Sequence, residues 1–128
     1  MSYEVIQPKT VHPTKGYSHA VRMGDLIFVS GQVSQDLGGN VLAKGDIKAQ
    51  AEQVFANLKA VLEAAGSGLD HIGKITVYTL KPEYRSAVAE VRERLFAGFG
   101  HYPASTFVVV TALANPGWLV EIEAIATV

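Results

Sequence analysis

The chain lacks cysteine altogether, which excludes thiol nucleophiles, zinc–thiolate sites and thiol redox switches. It also lacks a strong charge balance: the formal net charge is −1 and the eleven basic residues are scattered, so no electrostatic footprint for duplex nucleic acid is present. No run approaches the roughly 20 apolar residues of a membrane span, and no charged-then-apolar leader opens the sequence. We therefore expect a cytoplasmic protein that binds neither duplex nucleic acid nor membranes.

Charged residues are also scarce, at 18% of the 128 residues, and the mean hydropathy is positive. A chain of this length is expected to form one domain, residues 1–128, with a core that needs no metal or disulfide. Such a domain normally covers its own surface with solvated groups, and this one has few of them. A symmetric homo-oligomer would hide the surface that lacks charge.

The hydrophobic pattern predicts an α+β fold with a six-stranded sheet and two helices on one face. Alternating apolar residues between turn residues predict strands over Glu4–Gln7, Tyr17–Arg22, Leu26–Val33, His71–Leu80, Thr106–Leu113 and Trp118–Val128. Apolar spacings of three and four predict one helix from an N-cap at Asp46 to about Ala65, and a second beginning at Pro82. Two helices cover only one sheet face, so other copies of the chain are expected to cover the other.

The end of the chain carries the first indication of a site. Residues 102–127 are interpreted as two strands around a turn at Asn115-Pro116-Gly117, and the alternation of the last strand puts Glu121 and Glu123 on one face. Two carboxylates roughly 6.5 to 7 Å apart repel each other unless water screens their charges or a cation or a hydrogen-bond donor binds to them. Ordinary surface glutamates are one interpretation. The flanking Leu119 and Ile125 favour a cleft or a subunit boundary.

Other candidate residues lie in the predicted hairpin and helices. Gly31 within a strand indicates a bulge or a close approach to the backbone, which would leave Ser30 available to a ligand. His19 would share a strand face with Tyr17, although a lone histidine is more often a satisfied structural side chain. On the second helix an i, i+4 ion pair is predicted between Glu90 and Arg94. We expect no metal site, because metal-ligand spacing is absent among His12, His71 and His101. No cofactor is predicted either.

Several segments together resemble the Rid family of reactive-intermediate deaminases, also called the YjgF family. The matching segments are Gly16-Tyr17, Val29-Ser30-Gly31-Gln32, Gln53-Val54-Phe55-Ala56-Asn57-Leu58, Lys74-Ile75-Thr76-Val77-Tyr78, and Tyr102-Pro103-Ala104 followed by Val120-Glu121-Ile122-Glu123-Ala124-Ile125-Ala126. The resemblance covers essentially the whole chain. It implies a chorismate-mutase-like α+β fold and a homotrimer with sheets inside, helices outside and three clefts between subunits.

The resemblance also implies roles for single residues. Members with deaminase activity hydrolyse small imines or enamines, and by resemblance Glu121 positions or activates water while Tyr17, Ser30 and Gly31 line the cleft. In those members an arginine after Pro-Ala grips the substrate carboxylate, and here Ser105 takes that place as a neutral cleft-lining donor. Serine offers one uncharged donor instead of a charged planar fork. The usual 2-imino acid is therefore not the predicted substrate. The alternative is that Arg22, Arg85, Arg92 or a residue of a neighbouring copy restores the charge, although no spacing in the sequence indicates it.

The predicted function is hydrolysis of an imine, an enamine or a related C–N bond of a small metabolite by a homotrimer. The alternative is a non-catalytic trimer that binds a metabolite or a partner protein. Endoribonuclease activity, a label that some similar proteins carry, is disfavoured because the sequence offers neither a basic groove nor a paired histidine arrangement.

Overall fold

The computed structural model describes residues 3–128. Six strands form one mixed sheet in the order β1-β2-β3-β6-β4-β5. The strands are β1 (Tyr3–Ile6), β2 (Ala20–Met23), β3 (Leu26–Val33), β4 (Ile72–Thr79), β5 (Ala104–Val109) and β6 (Val120–Thr127). Two α-helices, α1 (Ile47–Ala64) and α2 (Arg85–Phe96), pack on one face of this sheet. The predicted α+β class, the six strands and the one-sided helices are confirmed.

The last two strands do not pair with each other, although two strands around a turn were expected to be neighbours in the sheet. Strand β6 lies in the middle of the sheet, antiparallel to both β3 and β4, whereas β5 lies at the edge and runs parallel to β4. The two closing strands are therefore neighbours along the chain but not in the sheet. Segment 110–119, which joins them, is long enough to step across β4, and a tight hairpin would not be.

Helix α1 follows its sequence signals closely. The Asp46 side chain accepts a hydrogen bond from the Ala49 backbone N–H at 3.0 Å, which satisfies one of the free donors of the first turn. The helix stops just before Gly66, whose φ of +78° is the left-handed conformation that glycine adopts without strain. Neither helix among residues 3–128 combines the length and the apolar character needed to cross a bilayer.

Helix α2 differs from its prediction in two respects. A 3₁₀ turn over Pro82–Tyr84 precedes it, so the α-helix begins at Arg85. The predicted pair between Glu90 and Arg94 is wrong, because each side chain crosses to α1 instead. Glu90 meets Lys48 and Arg94 meets Glu52, both at 2.9 Å. All four side chains are exposed, so these contacts contribute little to stability.

The core lies between the helices and the inner face of the sheet. Its members share complete or nearly complete burial; those at 0% exposure include Val54, Phe55, Leu58, Val91, Ile75, Val77 and Ile122. The ring of Phe96 packs edge-on against Phe55 with centroids 6.0 Å apart, a contact that the helical spacing did not predict. Burial of the even-numbered side chains of β6 turns its odd-numbered side chains to the opposite face.

That opposite face is uncovered in one chain. Its exposed apolar side chains include Tyr3, Val5, Leu26, Phe28 and Ile125, which range from 38% to 63% exposed. These side chains lie on neighbouring strands. Strand β1, which carries Tyr3 and Val5, pairs with β2, and β2 pairs with β3; Phe28 of β3 lies opposite Ile125 of β6. We call this surface the bare face. A contiguous apolar surface of this kind marks an interface or a binding site more often than open solvent contact.

Candidate active site

A β-bulge shapes the centre of the bare face. Strand β3 pairs with β6 at Val29 and Ala124, and pairing resumes at Gln32 and Ile122. Two residues of β3, Ser30 and Gly31, therefore oppose one residue of β6. The bulge that the glycine predicts is confirmed.

The backbone at Gly31 lies directly beneath the Glu121 carboxylate. A Cβ atom added to Gly31 would lie 2.0 Å from Glu121 Oε2 and 2.7 Å from its Cδ. Real Cβ atoms do not approach other heavy atoms so closely, so only glycine leaves room for the carboxylate in this position. The bulge thus holds a carboxylate against the backbone of β3.

Glu121 is half-buried in a chain whose bare face is otherwise open. Burial raises the pKa of its carboxyl group, and the nearby charge of Glu123 raises it further. Across the sheet Tyr78 pairs with Glu121, and the charge of Glu123 is the main reason that the pKa of the tyrosine is raised. The carboxyl group therefore holds its proton more tightly than a solvated glutamate does, which is typical of an acid–base group in a site.

The Glu121 pKa should fall in a Glu123→Gln variant, because one of its two causes is removed while burial remains. An NMR titration of the glutamate side-chain carboxyl carbons measures this directly, with Glu63→Gln on the exposed surface of α1 as the control that leaves Glu121 unchanged. Because the folded pKa lies above the ordinary 4.5, the folded state binds more protons than the unfolded state between these two values. The free energy of unfolding therefore decreases as pH rises through that window. This decrease should be smaller in Glu123→Gln, because the Glu121 pKa is shifted less. An unchanged Glu121 pKa in this variant would contradict the coupling.

A shallow pocket of about 560 Å³ lies beside the glutamate pair on the bare face. Tyr17 and Ser30 line it together with Glu123, and the apolar Phe28 and Ile125 complete its walls. The pocket thus combines two hydroxyl groups, a carboxylate and apolar surface, which is the composition of a small-molecule site. Two of the predicted binding residues, Tyr17 and Ser30, lie in it, and Gly31 with Glu121 lies next to Ser30 in the chain and the sheet.

His19 does not line this pocket, and its predicted placement beside Tyr17 is wrong. Both residues precede β2, which begins at Ala20, so strand alternation does not relate them. His19 is only 1% exposed. Its Nε2 lies 2.5 Å from the backbone oxygen of His12 and must donate, so its Nδ1 accepts from the side-chain amide of Gln32 at 3.1 Å.

His19 instead belongs to a buried network of hydrogen bonds that holds the bulge in place. The Ser30 backbone N–H donates to the His19 backbone oxygen at 2.8 Å, and the Ser30 hydroxyl donates to the Ser18 backbone oxygen at 2.6 Å. The Gln32 amide also reaches the Ser30 backbone oxygen at 3.2 Å. These contacts hold the bulge in one geometry. Sequence reasoning missed Gln32, whose 0% exposure inside an apolar strand is visible only once the bulge is known.

Ser105 lies on the other side of the sheet from Glu121. In the parallel β4–β5 pair Ser105 is in register with the core residue Ile75, so its side chain points to the helix-covered face. There Arg92 of α2 donates to its hydroxyl oxygen at 3.4 Å. One chain therefore brings Glu121, Ser30, Gly31 and Tyr17 to the bare face and leaves Ser105 apart.

The predicted site did not include Tyr78, and it offered Arg92 only as one of several arginines that could restore the charge at position 105. Tyr78 adjoins Glu121 only because β4 pairs with β6, and Arg92 adjoins Ser105 only because α2 packs beside β5. The segment Lys74–Tyr78 is one of those that match the family in sequence. The sequence does not show the strand register that places Tyr78 beside Glu121. No spacing in the sequence links Arg92 with Ser105.

The geometry defines a class of small α+β proteins with helices on one sheet face and a half-buried carboxylate, held over a glycine, on the other. Comparison with known proteins narrows the class. The sequence model of the family described as Endoribonuclease L-PSP matches residues 8–128. The structure superimposes with a TM-score of 0.93 on that of YyfA from Yersinia pestis, a protein of the conserved Rid family whose function is described as unknown; it is 35% identical, with 99% of this chain and 100% of that chain covered.

Sequence relatives agree with the structural match. A RutC family protein of Pyrococcus abyssi is 39% identical over 127 residues, which is 98% of each chain. A 2-iminobutanoate/2-iminopropanoate deaminase of Dermatophagoides farinae is 31% identical over 121 residues, covering 94% of this chain and 92% of that protein. The chain belongs to the Rid family, also called the YjgF family, as the resemblance in its sequence predicts.

Proposed function

We propose that the protein is a homotrimeric hydrolase that cleaves an imine, enamine or related C–N bond of a small metabolite, with Glu121 activating the attacking water. The observation that carries this proposal is the half-buried Glu121 carboxylate, held over Gly31 beside a pocket on the bare face. A carboxyl group with a raised pKa is a stronger base than a solvated one. The name of the Dermatophagoides farinae deaminase supports C–N hydrolysis as the reaction class.

The bare face supports an oligomer, and the family resemblance supports three copies. The apolar side chains of this face need a cover, and identical copies related by symmetry supply one without any other partner. Ser105 lies on β5, an edge strand, so it is available to a neighbouring copy at a subunit boundary. A cleft made from the bare face of one copy and the β5 edge of the next would join Glu121 to Ser105, which a single chain does not do. Covering the face would also bury Glu121 further and raise its pKa more.

The proposed reaction conserves atoms and protons. Glu121 takes a proton from water as the water oxygen bonds to the imine carbon, and the C=N double bond becomes a single bond. Glu121 then returns this proton to nitrogen, which gives a carbinolamine. The hydroxyl proton of the carbinolamine passes through Glu121 to the nitrogen as the C–N bond breaks and the C=O bond forms, so that a carbonyl compound and ammonia are released. The Tyr17 hydroxyl donates to the substrate in the pocket, whereas the Ser30 hydroxyl, whose hydrogen goes to the Ser18 backbone oxygen, can only accept from it. No metal or cofactor takes part in these steps.

Introducing arginine at position 105 tests the substrate preference. Losing a charge-assisted contact to a carboxylate costs on the order of 2 to 5 kcal/mol where the pair is desolvated, so kcat/KM for freshly generated 2-imino acids should rise about tenfold or more in Ser105→Arg. Deaminase assays that follow ammonia release measure the change. Ser86→Arg, which adds the same charge to an exposed position near the start of α2, is the matched control and should leave the rate unchanged. An unchanged rate in a folded Ser105→Arg protein would remove Ser105 from the substrate-binding end of the cleft.

The second candidate is a non-catalytic trimer that binds a metabolite or a partner protein. Serine at position 105, where deaminase members carry arginine, favours it. Thermal stabilisation by a small ligand without turnover, unchanged between wild type and Glu121→Gln, would select this candidate over hydrolysis.

A further inference from the structure

A second pocket, of about 440 Å³, lies on the helix-covered side of the sheet between α2 and β5. Arg85 and Arg92 line it from α2, and they lie seven residues, about two turns, apart on the same helical face. Within residues 3–128 neither arginine takes part in a salt bridge, whereas Arg94 on the same helix does. Glu93 also lines the pocket and offsets one of the two charges. One positive charge therefore remains uncompensated.

The remaining walls define the rest of a ligand. Val88, at 1% exposure, and the half-buried Phe107 provide apolar surface. The Ser105 hydroxyl accepts a hydrogen bond from Arg92, so its own hydrogen is left to donate to a ligand oxygen. Two guanidinium groups, one hydroxyl donor and an apolar floor suit an anionic group joined to a small apolar body.

We propose that Arg85, Arg92 and Ser105 form a binding subsite for a small monocarboxylate with an apolar body. The planar guanidinium fork matches a carboxylate with two parallel hydrogen bonds. A single uncompensated charge matches a monoanion better than a phosphate dianion. The subsite is complete within one chain, so it rests neither on the trimer nor on the role of Glu121.

The position of the charge has a consequence for recognition. Arg92 Nη1 lies 3.4 Å from the Ser105 hydroxyl, at the base of the residue 105 side chain. An arginine at position 105 would instead carry its charge at the far end of a long side chain. The carboxylate that this subsite binds is therefore set back toward α2.

An NMR titration tests the subsite with defined probes. The full-length ¹⁵N-labelled protein is titrated at constant ionic strength with butyrate, with the neutral isostere butyramide and with inorganic phosphate, while the amide signals of Arg92 and Ser105 are followed. We expect saturable shifts with butyrate, none with butyramide and weaker shifts with phosphate. Arg92→Gln should raise the butyrate Kd about tenfold, the loss of one charge-assisted contact. Arg94→Gln, which removes a paired guanidinium from the same helix, should stay within about twofold.

Three results would overturn the proposal. Equal binding of butyrate and butyramide would show that the pocket recognises only the apolar body. Tighter binding of phosphate would show that the preferred anion is not a monocarboxylate. Equal weakening in Arg92→Gln and Arg94→Gln would reduce the effect to overall charge. Arg85→Gln provides a second variant if Arg92→Gln does not fold. Turnover that depends on Glu121 is measured separately, so either idea can fail without the other.

Discussion

Replacing Glu121 with glutamine is expected to lower kcat/KM for C–N bond hydrolysis roughly 100-fold or more, the usual contribution of a positioned general base. Glutamine keeps the size and polarity of the side chain but cannot take a proton from water. The fold should persist, since the carboxylate lies at the surface of the sheet and not in the core. Ammonia release from a panel of imines and enamines measures the loss, with the thermal unfolding midpoint measured in parallel.

Glu123→Gln is the matched control for this variant. It removes the neighbouring carboxylate from the same strand face but leaves the one over Gly31 in place. Its rate should remain within about tenfold of wild type, with the acidic limb of the pH–rate profile moved to lower pH because the pKa of Glu121 falls. Wild-type turnover by Glu121→Gln would remove the proposed role of this residue.

The second large effect is expected from Gly31→Ala, which should reduce turnover roughly 100-fold without unfolding the protein. The new Cβ would lie 2.0 Å from Glu121 Oε2, so the flexible carboxylate must move away. Its displacement toward solvent removes part of the burial that raises its pKa. An NMR titration should therefore show a lower Glu121 pKa in the same variant that loses activity.

Gly73→Ala controls for the general cost of removing a glycine from this sheet. A Cβ at Gly73 meets only the Ile125 backbone oxygen at 3.9 Å, which is an ordinary contact. This variant should keep both its activity and the Glu121 pKa. Full activity in Gly31→Ala would show that the carboxylate need not occupy its position over the bulge.

The sequence predicts features that local chemistry determines. Asp46 caps α1 because a carboxylate accepts from the first-turn N–H groups, and the even-numbered residues of β6 face the core because they are apolar. Gly31 marks the bulge because a side chain does not fit there. The side-by-side placement of Glu121 and Glu123 likewise needs only strand alternation.

Features that depend on which elements pack together lie beyond such reasoning. The registers of the β4–β5 and β4–β6 pairs place Ser105 beside the core residue Ile75 and Glu121 beside Tyr78, so the two side chains point to opposite faces. No local pattern encodes those registers. Glu90 and Arg94 have the spacing of an ion pair within one helix. Each of them instead pairs with a side chain of α1. His19 is polar and near Tyr17 in the chain, but a loop turns it into the interior.

The proposed cleft around Glu121 exists only if identical copies of the chain cover the bare face. Sedimentation equilibrium of the purified protein tests this claim directly. We expect a single species with three times the 13.7 kDa mass of the chain, stable at micromolar concentration. A 13.7 kDa monomer under the same conditions would leave the glutamate pair facing open water and would contradict the proposed cleft.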